Sequence, residues 1–67
     1  VPKITMKAAR VSAGLTQEEI AAKMGVSRDW VVKIENGAVK AKPVYFLAWC
    51  QITGFSPEDI FLPEESA

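Results

Sequence analysis

Apolar positions along the chain recur at spacings of three and four in short bursts. Each burst is opened by a capping residue or proline and followed by a glycine or proline, a pattern that predicts helices. Met6, Ala9 and Ala13 fall on one side of a first helix that Thr5 can cap and Gly14 ends. Thr16 followed three residues later by Glu19 is a capping box: the hydroxyl accepts a backbone N–H of the new turn and the carboxylate accepts the N–H of the cap residue. Leu15 and Ile20 can close a hydrophobic staple over that start, Ile20 and Met24 share a face, and Gly25 supplies a left-handed stop. Ser27 caps a third helix with Val31 and Ile34 on its inward side, ended by Asn36-Gly37. After a loop at residues 38–42, Pro43 opens a fourth helix at a first-turn position, where its missing N–H costs nothing, and Gly54 closes it after about Thr53. Ser56, Pro57, Glu58 and Asp59 predict a short fifth helix stopped by Pro63. The expected fold class is all-α, a five-helix single domain over residues 1–67 with an acidic tail at about 63–67.

The chain has 67 residues, 49% of them apolar, with one cysteine and no histidine. Ordering so short a chain costs about 1.5 kcal/mol per residue, barely less than its core recovers, so the stability margin is thin. A histidine or cysteine zinc site, a Ser-His or Cys-His catalytic pair and a disulfide framework are excluded for want of side chains. No metal or cofactor is expected. No apolar run approaches the roughly 18 residues of a membrane span and no signal-peptide pattern is present, so the expected location is cytoplasmic, with Cys50 reduced.

Net charge is zero, which by itself argues against a polyanion partner. The distribution changes that picture. All eight basic residues lie within residues 1–42 beside four acids, a net +4, whereas the remainder carries four acids and no base, a net −4. The basic part suits a polyanion and the acidic part does not, although two ordinary solvated surfaces would read the same way.

Residues 16–36 carry the functional signal: a capped helix, a very short turn with glycine, and a second capped helix. Helices joined so tightly must cross steeply, and the small pair Ala21-Ala22 lets them approach, which is helix-turn-helix geometry. With Val31 and Ile34 turned inward, Arg28, Asp29, Val32 and Lys33 form an outward stripe able to enter a DNA major groove.

The strings Leu15-Thr16-Gln17-Glu18-Glu19-Ile20-Ala21, Gly25-Val26-Ser27-Arg28 and Ile34-Glu35-Asn36-Gly37 resemble the lambda-repressor-like helix-turn-helix family of phage repressors, Cro proteins and bacterial regulators. The opening Ile4-Thr5-Met6-Lys7-Ala8-Ala9-Arg10 and the closing Asp59-Ile60-Phe61-Leu62-Pro63 are similar to short Cro-type regulators of Gram-positive phages and prophages. The resemblance implies that Gln17 binds a phosphate and braces the recognition helix, and that Arg28, Asp29 and Lys33 face base edges. Arg28 could grip guanine O6 and N7 with two hydrogen bonds; Lys33 could do likewise or hold a phosphate. A carboxylate in the groove is repelled by phosphates unless it accepts from cytosine N4, so Asp29 is expected rather to orient Arg28 or to favour the helix N-terminus. Val32 could touch a thymine methyl. Ser27, Asn36, Lys40 and Lys42 are expected at the DNA backbone. Trp30 is open between two roles, packing on the sugar-phosphate backbone or covering the core. Arg10 and Glu35 match a structural ion pair joining helices 1 and 3.

Helix 4 reads apolar all round, and so small a domain cannot enclose it completely. The expectation is a symmetric homodimer through helix 4 and residues 55–62, with Phe46, Trp49, Cys50, Phe55, Phe61 and Leu62 at the interface. Two-fold dimers of the family place paired recognition helices about 34 Å apart on near-palindromic operators. The function this implies is that of a sequence-specific, double-stranded-DNA-binding transcriptional regulator of the Cro or repressor type that occupies an operator. The alternative is a protein-interaction module of the same fold, antirepressor-like or antitoxin-like. An enzyme is not expected: the carboxylates have no evident partner arrangement, and little room is foreseen for a pocket of the usual 300 Å³ or more. No small-molecule ligand is implied.

Overall fold

The computed structural model describes residues 3–61. Four α-helices follow in order, α1 (Met6–Ser12), α2 (Gln17–Met24), α3 (Arg28–Asn36) and α4 (Pro43–Thr53), and a single 3₁₀ turn (Pro57–Asp59) comes after them. Each of the first three starts on the side chain that the sequence nominates. Thr5 Oγ1 accepts the Ala8 N–H at 3.0 Å, and Ser27 Oγ accepts the Trp30 N–H at 3.1 Å. The capping box of α2 closes both ways: the Glu19 N–H donates to Thr16 Oγ1 at 3.1 Å and the Thr16 N–H to Glu19 Oε1 at 2.8 Å. Such caps stabilise a helix by about 1 kcal/mol each. α4 has no side-chain cap and relies on Pro43 in its first turn.

Between α2 and α3 the chain turns at Gly25, whose φ of 72° lies in the left-handed region. The Val26 N–H reaches back to the Ala21 carbonyl at 3.0 Å, closing a Schellman motif that satisfies the last carbonyls of α2. Only Gly25, Val26 and Ser27 separate the two helices, so α3 starts close to the end of α2. α2 and α3 pack closely, and α4 lies against both α1 and α2.

The core is centred on Trp49, which is wholly buried. Its indole N–H donates to the Met6 carbonyl at 2.9 Å, so the largest side chain of α4 also ties it to α1. Phe46, Cys50 and Thr53 continue the inward stripe of α4 at helical spacing, against Ile20, Val31 and Ile34 from α2 and α3.

Of the expected fifth helix, only the single 3₁₀ turn forms among the described residues. After the 3₁₀ turn the chain becomes extended at Ile60 (φ −115°, ψ 133°) and makes an isolated parallel bridge with Ile4. The Ile4 N–H donates to the Asp59 carbonyl at 3.0 Å and the Phe61 N–H to the Ile4 carbonyl at 2.7 Å. Backbone groups that a helix would use internally are committed to the opposite end of the chain, and the Ile60 side chain drops into the core. Pro63, Leu62 and the acidic tail lie outside the described residues. No helix among those described is long and apolar enough to cross a membrane.

Candidate nucleic-acid interface

α3 is anchored from behind. Val31 and Ile34 are buried, and between them and the C-terminal end of the helix the Glu35 side chain is only 3% exposed. Its carboxylate accepts from Arg10 Nε at 2.6 Å and Arg10 Nη2 at 3.3 Å, and from Gln17 Nε2 at 3.0 Å. Arg10 Nη1 also donates to the Leu15 carbonyl at 2.7 Å. One carboxylate thus ties α1, the α1–α2 turn and α2 to α3, with charge-assisted bonds in a mostly dry setting. Gln17, expected at a phosphate, spends one amide N–H on this brace, and the other forms no bond among the described residues.

The opposite side of α3 faces solvent. Arg28, Asp29, Lys33 and Asn36 are exposed, and Val32 between them is half-buried. Lys40 and Lys42 are exposed on the following loop, on either side of the buried Ala41. The pairing on this face differs from expectation. Asp29 does not meet Arg28; it lies in the first turn of α3, as its other expected role requires, with Oδ2 3.1 Å from Lys33 Nζ. Arg28 Nε instead lies 3.4 Å from Oε2 of Glu18, in the first turn of α2. Consecutive residues on a helix diverge by about 100°, whereas positions i and i+4 stack, so Asp29 meets Lys33 and leaves Arg28 to the neighbouring helix. Glu18 went unmarked in the sequence because its partner lies across the turn; the usable signal was opposite charge in the first turns of two tightly linked helices.

Trp30 covers the core, one of its two expected roles. It is half-buried, packs on the core and meets Tyr45 of α4 with ring centroids 5.3 Å apart at a tilt of 58°. It stands four residues before Ile34 and so shares the inward flank of α3. Ser27 is committed through its oxygen to capping, which leaves its O–H as a donor.

The residues expected at a dimer interface need correction. Phe46, Trp49 and Cys50 are 8%, 0% and 2% exposed, already covered within one chain. Phe55 is half-buried against the same core, Phe61 is exposed, and Leu62 lies outside the described residues. The stripe that α4 leaves outside holds Val44 and Leu47, 67% and 51% exposed. The rotation of α4 was not readable from a helix apolar on every side, and the large aromatic residues took the interior.

The little room foreseen for a pocket of the usual size is just exceeded. An open, mainly apolar groove of about 330 Å³ runs between the start of α1 and the end of α3, lined by Thr5, Lys7, Ile34, Asn36, Gly37 and Phe61 among others. Its carboxylate, Glu35, is held by Arg10 and Gln17. Among the described residues no group of three or more His, Cys, Asp or Glu side chains is placed to hold a metal ion.

Residues 4–60 match a family described as "Helix-turn-helix domain". The chain is 40% identical over 65 residues to a protein of Methanocaldococcus jannaschii described as an uncharacterized HTH-type transcriptional regulator; the match covers 94% of this chain and 96% of that protein. No solved structure matches significantly.

Proposed function

Because the chain belongs to the helix-turn-helix domain family, we propose that it is a sequence-specific, double-stranded-DNA-binding transcriptional regulator that places α3 in the major groove. The observation that carries this reading is the two-sidedness of α3: Val31, Ile34 and the braced Glu35 hold it from behind, while Arg28 and Lys33 stand outward with side chains more than half exposed. Arg28 reads guanine, Val32 meets a thymine methyl, and Gln17, Ser27, Asn36, Lys40 and Lys42 hold the flanking phosphates. Similarity to a protein described as a transcriptional regulator supports a regulatory role. In the manner of short Cro-type repressors, the protein acts by occupying an operator and blocking polymerase, with no chemistry of its own.

The active unit is a homodimer on a near-palindromic operator, with the exposed Val44 and Leu47 of α4, and Phe61, as the apolar surface between copies. Sedimentation at micromolar concentration tests this: a dimer that Leu47→Asp converts to a folded monomer supports it, and a wild-type monomer both with and without DNA refutes it.

Binding itself is tested by selecting duplexes from a random pool and titrating the winners with salt. Affinity should fall with a slope near −0.9 per phosphate contact. Absence of salt-sensitive binding, together with capture of a stoichiometric protein partner, would favour the interaction-module reading instead.

A further inference from the structure

Both cations on the outward face of α3 are already paired with acids of the same chain. Arg28 meets Glu18 and Lys33 meets Asp29, so the four side chains sum to zero charge. The acids are the more exposed members, at 71% against 58% and at 75% against 56%, so neither pair is shielded from an approaching duplex. Neither acid makes a cap hydrogen bond: Glu19 closes the capping box of α2 and Ser27 caps α3. Among the described residues, the side chains of Glu18 and Asp29 pair with these two cations alone.

We propose that Glu18 and Asp29 are specificity-determining residues: by neutralising Arg28 and Lys33 they hold back binding to DNA of arbitrary sequence while leaving base reading possible. The inference rests on the DNA-binding role proposed above. A phosphate offers point charge, and its gain from a cation comes mostly from releasing counterions, which a cation already paired within the protein cannot deliver in full. For Arg28 to hold a phosphate alone, Glu18 must be stranded beside the polyanion. Guanine asks for something different, two parallel N–H donors aimed at O6 and N7. Glu18 approaches Arg28 closest through Nε, so the two Nη groups at the tip of the fork remain to grip the base with the pair intact. Glu18 therefore penalises random sequence more than a correct site, and Asp29 does the same at Lys33, whose ammonium carries three N–H donors and turns only part of them to the carboxylate.

The test measures the affinity of the wild type, Glu18→Gln and Asp29→Asn for a duplex selected by the wild type and for a random-sequence duplex, from 50 to 200 mM salt. Glu58→Gln, an equal charge change outside the helix-turn-helix, is the control, and circular dichroism verifies folding; Glu18→Ala is a second variant at the same position. The expected result is that each acid-to-amide change in the helix-turn-helix steepens the random-duplex salt slope by about 0.9, an extra loss of about 3.5-fold across that salt range. Random-duplex binding tightens at 50 mM, the selected duplex gains less, and the selected-to-random affinity ratio falls about three-fold or more. The control leaves slope and ratio unchanged. Unchanged slopes and ratios in both variants, weaker random-duplex binding, or an equal effect of Glu58→Gln would overturn the proposal while leaving DNA binding in place. A wild type that binds neither duplex at any salt would overturn the DNA-binding reading and this inference with it.

Discussion

Arg10 and Glu35, 25 residues apart in the chain, face each other across α1 and α3 as a largely buried ion pair, with Nε 2.6 Å from Oε2. Because Gln17 and the Leu15 carbonyl join the same cluster, the pair sets where α3 sits as well as how firmly. Removing one partner strands a charge with little water to replace it. Arg10→Met or Glu35→Leu alone should cost about 3–5 kcal/mol, a large share of what so small a domain has. The double change should recover much of that loss, because two apolar side chains leave no charge unpaired. Urea unfolding of the two single variants and the double one checks this, and strictly additive losses would contradict it.

Trp49 and Trp30 differ in kind. Trp49 is enclosed and its N–H is bonded to the Met6 carbonyl, whereas Trp30 is half-buried against Tyr45. Trp49→Phe should cost about 2–4 kcal/mol from the lost hydrogen bond and lost volume, and Trp30→Phe less than about 1 kcal/mol. Thermal melts measure both. Acrylamide should quench the Trp30 emission that remains in Trp49→Phe far more than the Trp49 emission that remains in Trp30→Phe.

Arg28→Ala should relax base preference at one operator position, by about 1–3 kcal/mol of discrimination. Lys40→Ala should instead weaken binding to all sequences alike and reduce the salt slope by about 1. Competition titrations with selected and random duplexes separate the two, and equal losses on both duplexes for both variants would refute the division between reading and holding.

Burial pushes the Cys50 thiol up from its ordinary value of 9.0. The folded chain therefore keeps that proton to a higher pH than the unfolded chain. The resulting stabilisation is fully present below the unfolded value and is lost as pH rises through the folded one. Stability should decline more steeply above about pH 9 in the wild type than in Cys50→Ala. At about pH 8 a thiol reagent should label native Cys50 only as fast as the chain opens, a rate that added urea raises.

Local chemistry was legible from the chain because it acts over three or four residues. Thr5, Thr16 with Glu19, and Ser27 mark helix starts through bonds to their own next turn, and Val31 with Ile34 identifies the buried side of α3 by periodicity alone. The helix-turn-helix, and with it the outward placement of Arg28 and Lys33, follows from those marks. Resemblance, and not spacing, pointed to the Arg10–Glu35 pair.

What required the folded chain is whatever depends on contacts far apart in sequence. Ile60 is extended because its backbone neighbours bond to Ile4 at the other end, a choice that Ser56-Pro57-Glu58-Asp59 could not reveal locally. α4 turned Trp49 and Cys50 inward and left Val44 and Leu47 outside because the core formed by the other helices selects among faces of equal hydrophobicity. Arg28 chose Glu18 over its sequence neighbour Asp29 because helical rotation separates adjacent side chains while the crossing of α2 and α3 brings distant ones together.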